Sequence, residues 1–145
     1  MEQNEKLTAE INYIIVKVFR SFEKGDIDTL ISLYTDESGL YIFGTGSDEK
    51  GSGKETIKFL VNRDVNETES RNVTIRDLHV AGSGDVAWAA FQWGSSVIKN
   101  GQNIDNHLGR FTMVLERQLG GWRIVQSHAS LPDPHQPKGQ SFPNL

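Results

Sequence analysis

The chain has no cysteine among its 145 residues. Disulfides, thiolate nucleophiles and cysteine-ligated zinc are thereby excluded, while the redox compartment stays open. Proline is nearly absent from the body. Pro132, Pro134, Pro137 and Pro143 all lie at the end, so residues 132–145 read as an extended tail and 1–131 as one domain without that breaker. No apolar run approaches the ~20 residues of a membrane-spanning helix, and the opening MEQNEKLTAE is too polar for a secretion signal. A cytoplasmic location without a membrane partner is therefore expected. Concentrated positive charge is missing too. Fifteen Lys and Arg against 19 Asp and Glu give a net charge of −4, and the basic residues are scattered, which argues against a nucleic-acid partner. Sequons at Asn66 and Asn72, with no secretion signal before them, read as chance matches.

What is present is pattern. Leu7, Ile11, Ile14, Ile15, Val18, Phe19 and Phe22 recur on one helical face, with Gly25 placed to end the helix. Asp26 fits as cap of a short second helix carrying Ile27, Leu30, Ile31 and Tyr34. Leu40 to Phe43 suits a short strand, which runs into a glycine-rich loop, GTGSDEKGSG, at residues 44–53. Ser52 and Glu55 match a capping box for a third helix, with Ile57, Leu60, Val61 and Val65 as its buried stripe. Four strands follow at Val73 to Ala81, Val86 to Lys99, Gln102 to Gln118 and Trp122 to Leu131, separated by glycine-bearing turns. Helices followed by an antiparallel meander predict an α+β fold with helices on one face of the sheet.

A two-residue turn at Asn100-Gly101 pairs Lys99 with Gln102 and, counted outward without interruption, Trp88 with Met113 and Ala90 with Phe111. The turn near Leu119-Gly120 pairs Glu116 with Arg123, Leu115 with Ile124 and Phe111 with His128. On this count one face carries Val86, Trp88, Ala90, Gln92, Asp105, His107, Phe111, Met113, Leu115, Ile124, Gln126, His128 and Ser130. That mixed set suits a pocket wall beneath the helices. The other face carries Ala87, Ala89, Phe91, Trp93, Arg110, Thr112, Val114, Val125, Ser127 and Ala129, apolar enough to want a second copy of the chain as cover. A homodimer through the sheet is the expected assembly. A bulge would exchange the two faces.

Two stretches, IFGTGSDEKGSGKETIKFL at residues 42–60 and GRFTMVLERQLGGWRIVQSHAS at residues 109–130, resemble the SnoaL-like branch of the nuclear transport factor two and ketosteroid-isomerase-like superfamily. The matching positions are Gly44, Thr45, Gly46, Asp48, Glu49, Gly51 and Lys54, and in the hairpin Arg110, Thr112, Val114, Gly121, Trp122, Ile124, His128 and Ser130. The resemblance implies a cone-shaped α+β barrel, with three N-terminal helices on a strongly curved antiparallel sheet around a central pocket, and frequent dimerisation through that sheet. The last strand is also similar to that of the association domain of calcium/calmodulin-dependent kinase two. That relative has a pocket arginine where this chain has Met113, so anion binding does not carry over.

Fold kinship does not fix chemistry in a superfamily of isomerases, dehydratases, cyclases and binding modules. His128, placed by the count among Phe111 and Ile124, is the foremost acid-base candidate, since an imidazole titrates near neutrality; a histidine that merely holds the sheet is the plainer alternative. Tyr41, Glu49, Trp88, Gln92, Phe111, Met113, Gln126 and Ser130 are the accompanying candidates for ligand contact, and Tyr34 could line the cavity beside Tyr41 and Trp88 with a phenol able to hold a carbonyl oxygen, simple core being the plainer reading of these aromatics. His107 would lie about 13 Å along the strand from His128 at ~3.3 Å per residue, too far to share a metal at ~2 Å from each ligand. No metal or cofactor is expected. The glycine-rich loop is not a phosphate cradle, for a Walker pattern needs glycine at Asp48 and serine or threonine at Glu55. The isomerase template needs a carboxylate base facing a tyrosine and a protonated acid, and the dehydratase template needs two adjacent histidines; neither set can be placed. The reading is a homodimeric pocket protein for a small, partly apolar organic molecule. A lyase or isomerase using His128, helped by Tyr41 or Glu49, is the alternative, and an assembly module is the third.

Overall fold

A computed structural model describes residues 4–144. The first helix, α1 (Glu5–Lys24), starts where the Asn4 side chain accepts the Leu7 N–H at 2.7 Å and ends at Gly25, whose φ of 70° is the left-handed conformation that favours glycine. Leu7, Ile11, Ile14, Ile15 and Val18 are its buried stripe, as their spacing predicts. Asp26 accepts the Thr29 N–H at 3.2 Å and so caps α2 (Ile27–Ser32). The strands β1 (Tyr41–Phe43) and β2 (Lys50–Ser52) then form a small antiparallel pair, β2 arising inside the glycine-rich loop. Helix α3 (Gly53–Glu67) follows. Its expected capping box does not form: the Ser52 side chain makes no cap hydrogen bond, and the Thr56 hydroxyl instead donates back to the Ser52 carbonyl at 2.9 Å.

The long strands are β3 (Ser70–Ser83), β4 (Val86–Lys99), β5 (Gln102–Gln118) and β6 (Gly121–Ser130). They complete a six-stranded sheet in the order β2-β1-β6-β5-β4-β3. The α+β class holds, with one correction to the expected all-antiparallel sheet. β1 lies parallel to β6, because the chain leaving α2 is stitched to β6 first: Ile124 donates to the Leu33 carbonyl and Thr35 donates to the Ile124 carbonyl, both at 2.9 Å. The core sits between the helices and the inner sheet face, where Ile11, Ile15, Leu115 and Ile124 are fully buried. Leu131 to Asn144 form neither helix nor strand. No helix among the described residues is long and apolar enough to cross a membrane.

Two register shifts decide which side chains face inward. The hairpin closes as expected with Lys99 opposite Gln102, but a shift between Trp93 and Ser95 then places Trp93 opposite Gly109, Phe91 opposite Phe111 and Ala89 opposite Met113. The extra residue belongs to β5, where His107 and Leu108 together stand against Gly94, so the odd positions of β4, and not the even ones, share a face with Phe111 and Met113. Ala87, Ala89 and Phe91 are therefore buried, and Trp88, Ala90 and Gln92 point out of the opposite face. The second shift lies between Val114 and Leu115: Leu115 still pairs with Ile124, but Val114 meets Gln126, Thr112 meets His128 and Phe111 meets Ala129. Past that point Ser127 and Ala129 turn inward, whereas Gln126, His128 and Ser130 turn outward.

Candidate ligand-binding site

A cavity of about 350 Å³ lies between the helices and the inner sheet face. Its apolar wall comes from α1 (Val18, Phe19, Phe22), α3 (Ile57, Leu60, Val61) and the sheet (Ile42, Trp93, Val97, Phe111). Phe111 stacks on Phe91 with ring centroids 5.1 Å apart, and Phe19 meets both rings edge-on at 5.7 and 5.9 Å. Such geometry is favourable beyond the area buried, so this aromatic cluster is a firm floor. Trp93 lies across Gly109, and a Cβ on Gly109 would overlap its indole. The Trp93 Nε1–H donates to the Arg110 carbonyl at 3.1 Å, which fixes the ring at the cavity edge.

Polar groups converge at two places. At the inner end Tyr34 is buried, and its phenol is partnered by the Ser127 hydroxyl; burial pushes its pKa up, which keeps the phenol protonated. At the mouth stand Glu49, Asp64, Glu67 and Arg71. Glu49 is turned back on its own loop: the Gly46 N–H and the Thr45 hydroxyl donate to Oε2, and Arg63 Nη2 approaches Oε1 at 3.4 Å. Arg63 also binds Asp48 at 2.7 Å, and that bond holds the Asp48 carboxyl below its usual range. Asp64 behaves in the opposite way. Burial first, and then the negative charge of Glu49, raises its pKa to about 6.

The residues expected at the site divide sharply. Phe111 and Glu49 line the cavity, and Met113 is buried in the core beneath it. His128, Trp88, Gln92, Gln126 and Ser130 are on the other face of the sheet because of the two register shifts, and Tyr41 joins them there through its pairing beside Gln126. The His128 ring is exposed and packs on Phe43 at 5.1 Å, and Phe43 in turn packs on Tyr41 at 5.2 Å. Asp105 and His107 are exposed on β5. One polar cavity residue, Asp64, was missed. Asp64 had a visible signal, for it stands at i+7 from Ile57 and i+4 from Leu60, a carboxylate written into an apolar stripe. Tyr34, expected as an aromatic that could line the cavity, does line it, and its seat against Ser127 supplies the phenol's partner.

The model of the SnoaL-like domain matches residues 11–134. The chain belongs to the SnoaL-like domain family. No curated protein matches it. Among solved structures, a nuclear transport factor 2-like superfamily protein from Salmonella enterica superposes with a TM-score of 0.81 at 22% identity, over 94% of this chain and 98% of the other. A candidate dehydratase of the NTF2-like family from Streptomyces avermitilis gives 0.78 at 20% identity, over 87% and 96%. A candidate calcium/calmodulin-dependent protein kinase II association domain from Xanthomonas campestris gives 0.75 at 21% identity, over 86% and 87%. At such identities the SnoaL-like chain shares a fold with these proteins, and the fold alone. Neighbours with such different assignments leave the chemistry to the cavity.

Proposed function

We propose that this SnoaL-like protein holds a small, partly apolar organic molecule in the cavity between its helices and the inner sheet face. The observation that carries this reading is the composition of the cavity, an aromatic and aliphatic wall with Tyr34, Ser127 and Asp64 as sparse polar anchors. Its volume is at the lower end of the ~300–1,000 Å³ of small-molecule pockets. Native mass spectrometry of untreated protein, followed by a thermal-shift metabolite screen, tests the reading. A retained mass or a stabilising hit is expected, and Ala129→Trp, which fills the cavity, should abolish it. Protein that carries nothing and responds to nothing refutes it.

A second reading is acid-base catalysis of a lyase or isomerase type at the same site, favoured by the Asp64 carboxyl with its pKa near 6. It moves the role from His128 to Asp64. On a discovered substrate, Asp64→Asn should remove turnover and His128→Ala should retain it; the reverse outcome sinks it.

The assembly we infer is a homodimer through the outer sheet face. Tyr41, Phe43 and Trp88 remain 40%, 42% and 39% exposed there, beside Thr112 and His128. This surface is more aromatic than a solvated sheet face requires. Light scattering should give twice the chain mass at micromolar concentration, and half of that for Thr112→Arg. A wild-type monomer overturns the inference.

A further inference from the structure

The charged groups around the cavity mouth are not equivalent. Asp48 and Glu49 share Arg63, and Glu67 faces Lys99 at 3.8 Å. Arg71 uses its N–H groups on the carbonyls of Phe22, Glu23 and Thr68. Asp64 alone among these has no ion pair and no hydrogen bond to its carboxylate among the described residues; only its backbone carbonyl is engaged, accepting from the Thr68 hydroxyl at 2.7 Å. Its place on the inward stripe of α3, one turn beyond Leu60, puts it in the cavity wall with the apolar residues of that helix.

Arg63 and Arg71 lie near enough to favour the ionised Asp64 carboxylate, but neither bonds to it, and burial together with Glu49 and Glu67 outweighs them, so its charge is only partly offset. Its tight hold on a proton has the same origin, namely burial and the neighbouring carboxylate of Glu49. Above about pH 6 it is nevertheless mostly ionised. A neutral alcohol or ketone can offer one hydrogen bond and leave the charge in place, and a ligand carboxylate would add repulsion. A cation with N–H groups satisfies both needs. The wall shared with Asp64 carries Phe19, Phe111 and Trp93, and the faces of such rings attract positive charge as well as apolar surface.

We propose that the cavity selects an organic ammonium ion, with its apolar body on Phe19, Phe111 and Trp93 and its N–H groups on the Asp64 carboxylate. The proposal rests on the cavity being the binding site. Three probes of one skeleton test it by calorimetric titration of the full chain at pH 7.5: 2-phenylethylamine, 2-phenylethanol and 3-phenylpropionate. The amine is expected to bind at least about tenfold more tightly than the alcohol, with the carboxylate weakest. Asp64→Asn should reduce the amine's advantage, the ratio of amine to alcohol affinity on the same variant, to about threefold or less. In the wild type the advantage should also shrink at pH 5. Equal affinities for amine and alcohol, a carboxylate that binds best, or an advantage that survives Asp64→Asn overturns the ammonium assignment while the pocket reading stands. No binding by any of the three at millimolar concentration also overturns it; the pocket reading falls only if the native mass spectrum and the screen are empty as well.

Discussion

Phe91 and Gln92 are adjacent in sequence and opposite in fate. Phe91 is 4% exposed and belongs to the aromatic cluster with Phe19 and Phe111, whereas Gln92 is exposed on the outer face, where its side chain accepts from Arg76. Truncating a buried phenylalanine costs about 3–5 kcal/mol through lost transfer energy and a residual cavity. Two aromatic contacts place Phe91→Ala no lower than the middle of that range, at about 4 kcal/mol. Against a typical total of ~5–15 kcal/mol, the variant stays folded but weak. With a urea slope of about 2 kcal/mol per molar, the unfolding midpoint should drop by about 2 M. Gln92→Ala should change stability by no more than about 0.5 kcal/mol, as surface truncations do. Paired urea titrations followed by circular dichroism measure both. A Phe91→Ala loss below about 1 kcal/mol, or one smaller than that of Gln92→Ala, would refute the shift between Trp93 and Ser95 and restore the uninterrupted count from the Asn100-Gly101 turn.

The remaining expectations concern the cavity and its mouth. Gly109→Ala should cost about 1–3 kcal/mol by forcing the Trp93 indole aside, visible as a changed tryptophan emission and a lower melting temperature. The fold binds a proton at Asp64 more tightly than the unfolded chain does, so stability is lost as pH rises from 3.8 through about 6. Asp64→Asn should flatten that decline and be the more stable protein above pH 6 in urea titrations across the range; an identical pH profile contradicts it. Glu49→Gln weakens the carboxylate's hold on the Gly46 N–H and on Arg63, so faster hydrogen exchange should appear across Gly44 to Glu49 with α1 unaffected. Trp122→Phe removes the 2.8 Å bond from Nε1 to Glu10 and leaves the ring volume largely filled, at a cost of about 1.5–3 kcal/mol for a bond to a charged acceptor.

Much of the architecture could be read from local pattern. The α1 stripe, the Gly25 stop, the Asp26 cap and the Asn100-Gly101 turn each rest on interactions within a few residues, and each is present. The site was less legible because its facing depends on parity. The count along β5 from Phe111 to Leu115 was correct, and that along β6 was correct at Ile124, yet one additional residue in β5 opposite Gly94 and another in β6 at Val125 exchanged the faces expected for β4 and for the end of β6. Gly94, which faces the β5 bulge across the ladder, was a hint of it as a glycine inside a strand pattern; Val125 gave none, being β-branched and well suited to a strand. Thus His128 was the right residue to notice in the motif and was assigned to the wrong side of the sheet. Asp64 escaped notice because a helix was judged by its apolar members. The pairing of β1 with β6 spans some eighty residues, and no local signal announces a partner that distant.

That same pairing governs when the protein can fold. The Leu33 carbonyl, the Thr35 N–H and the edge of β1 that β2 leaves open find their hydrogen-bonding partners only in β6, the last strand to leave the ribosome, while β3, β4 and β5 form a continuous hairpin series before it. During synthesis the chain just after α2 and that open edge of β1 therefore wait unpaired until the chain has emerged past Ser130. Chains cut short before β6 would retain the meander but expose the edge of β5 and the apolar face that Ile124 should cover, surfaces that favour aggregation. Closure over such a sequence separation also belongs to the slow end of folding. The final strand acts as a clasp, and the cavity exists only once it is fastened.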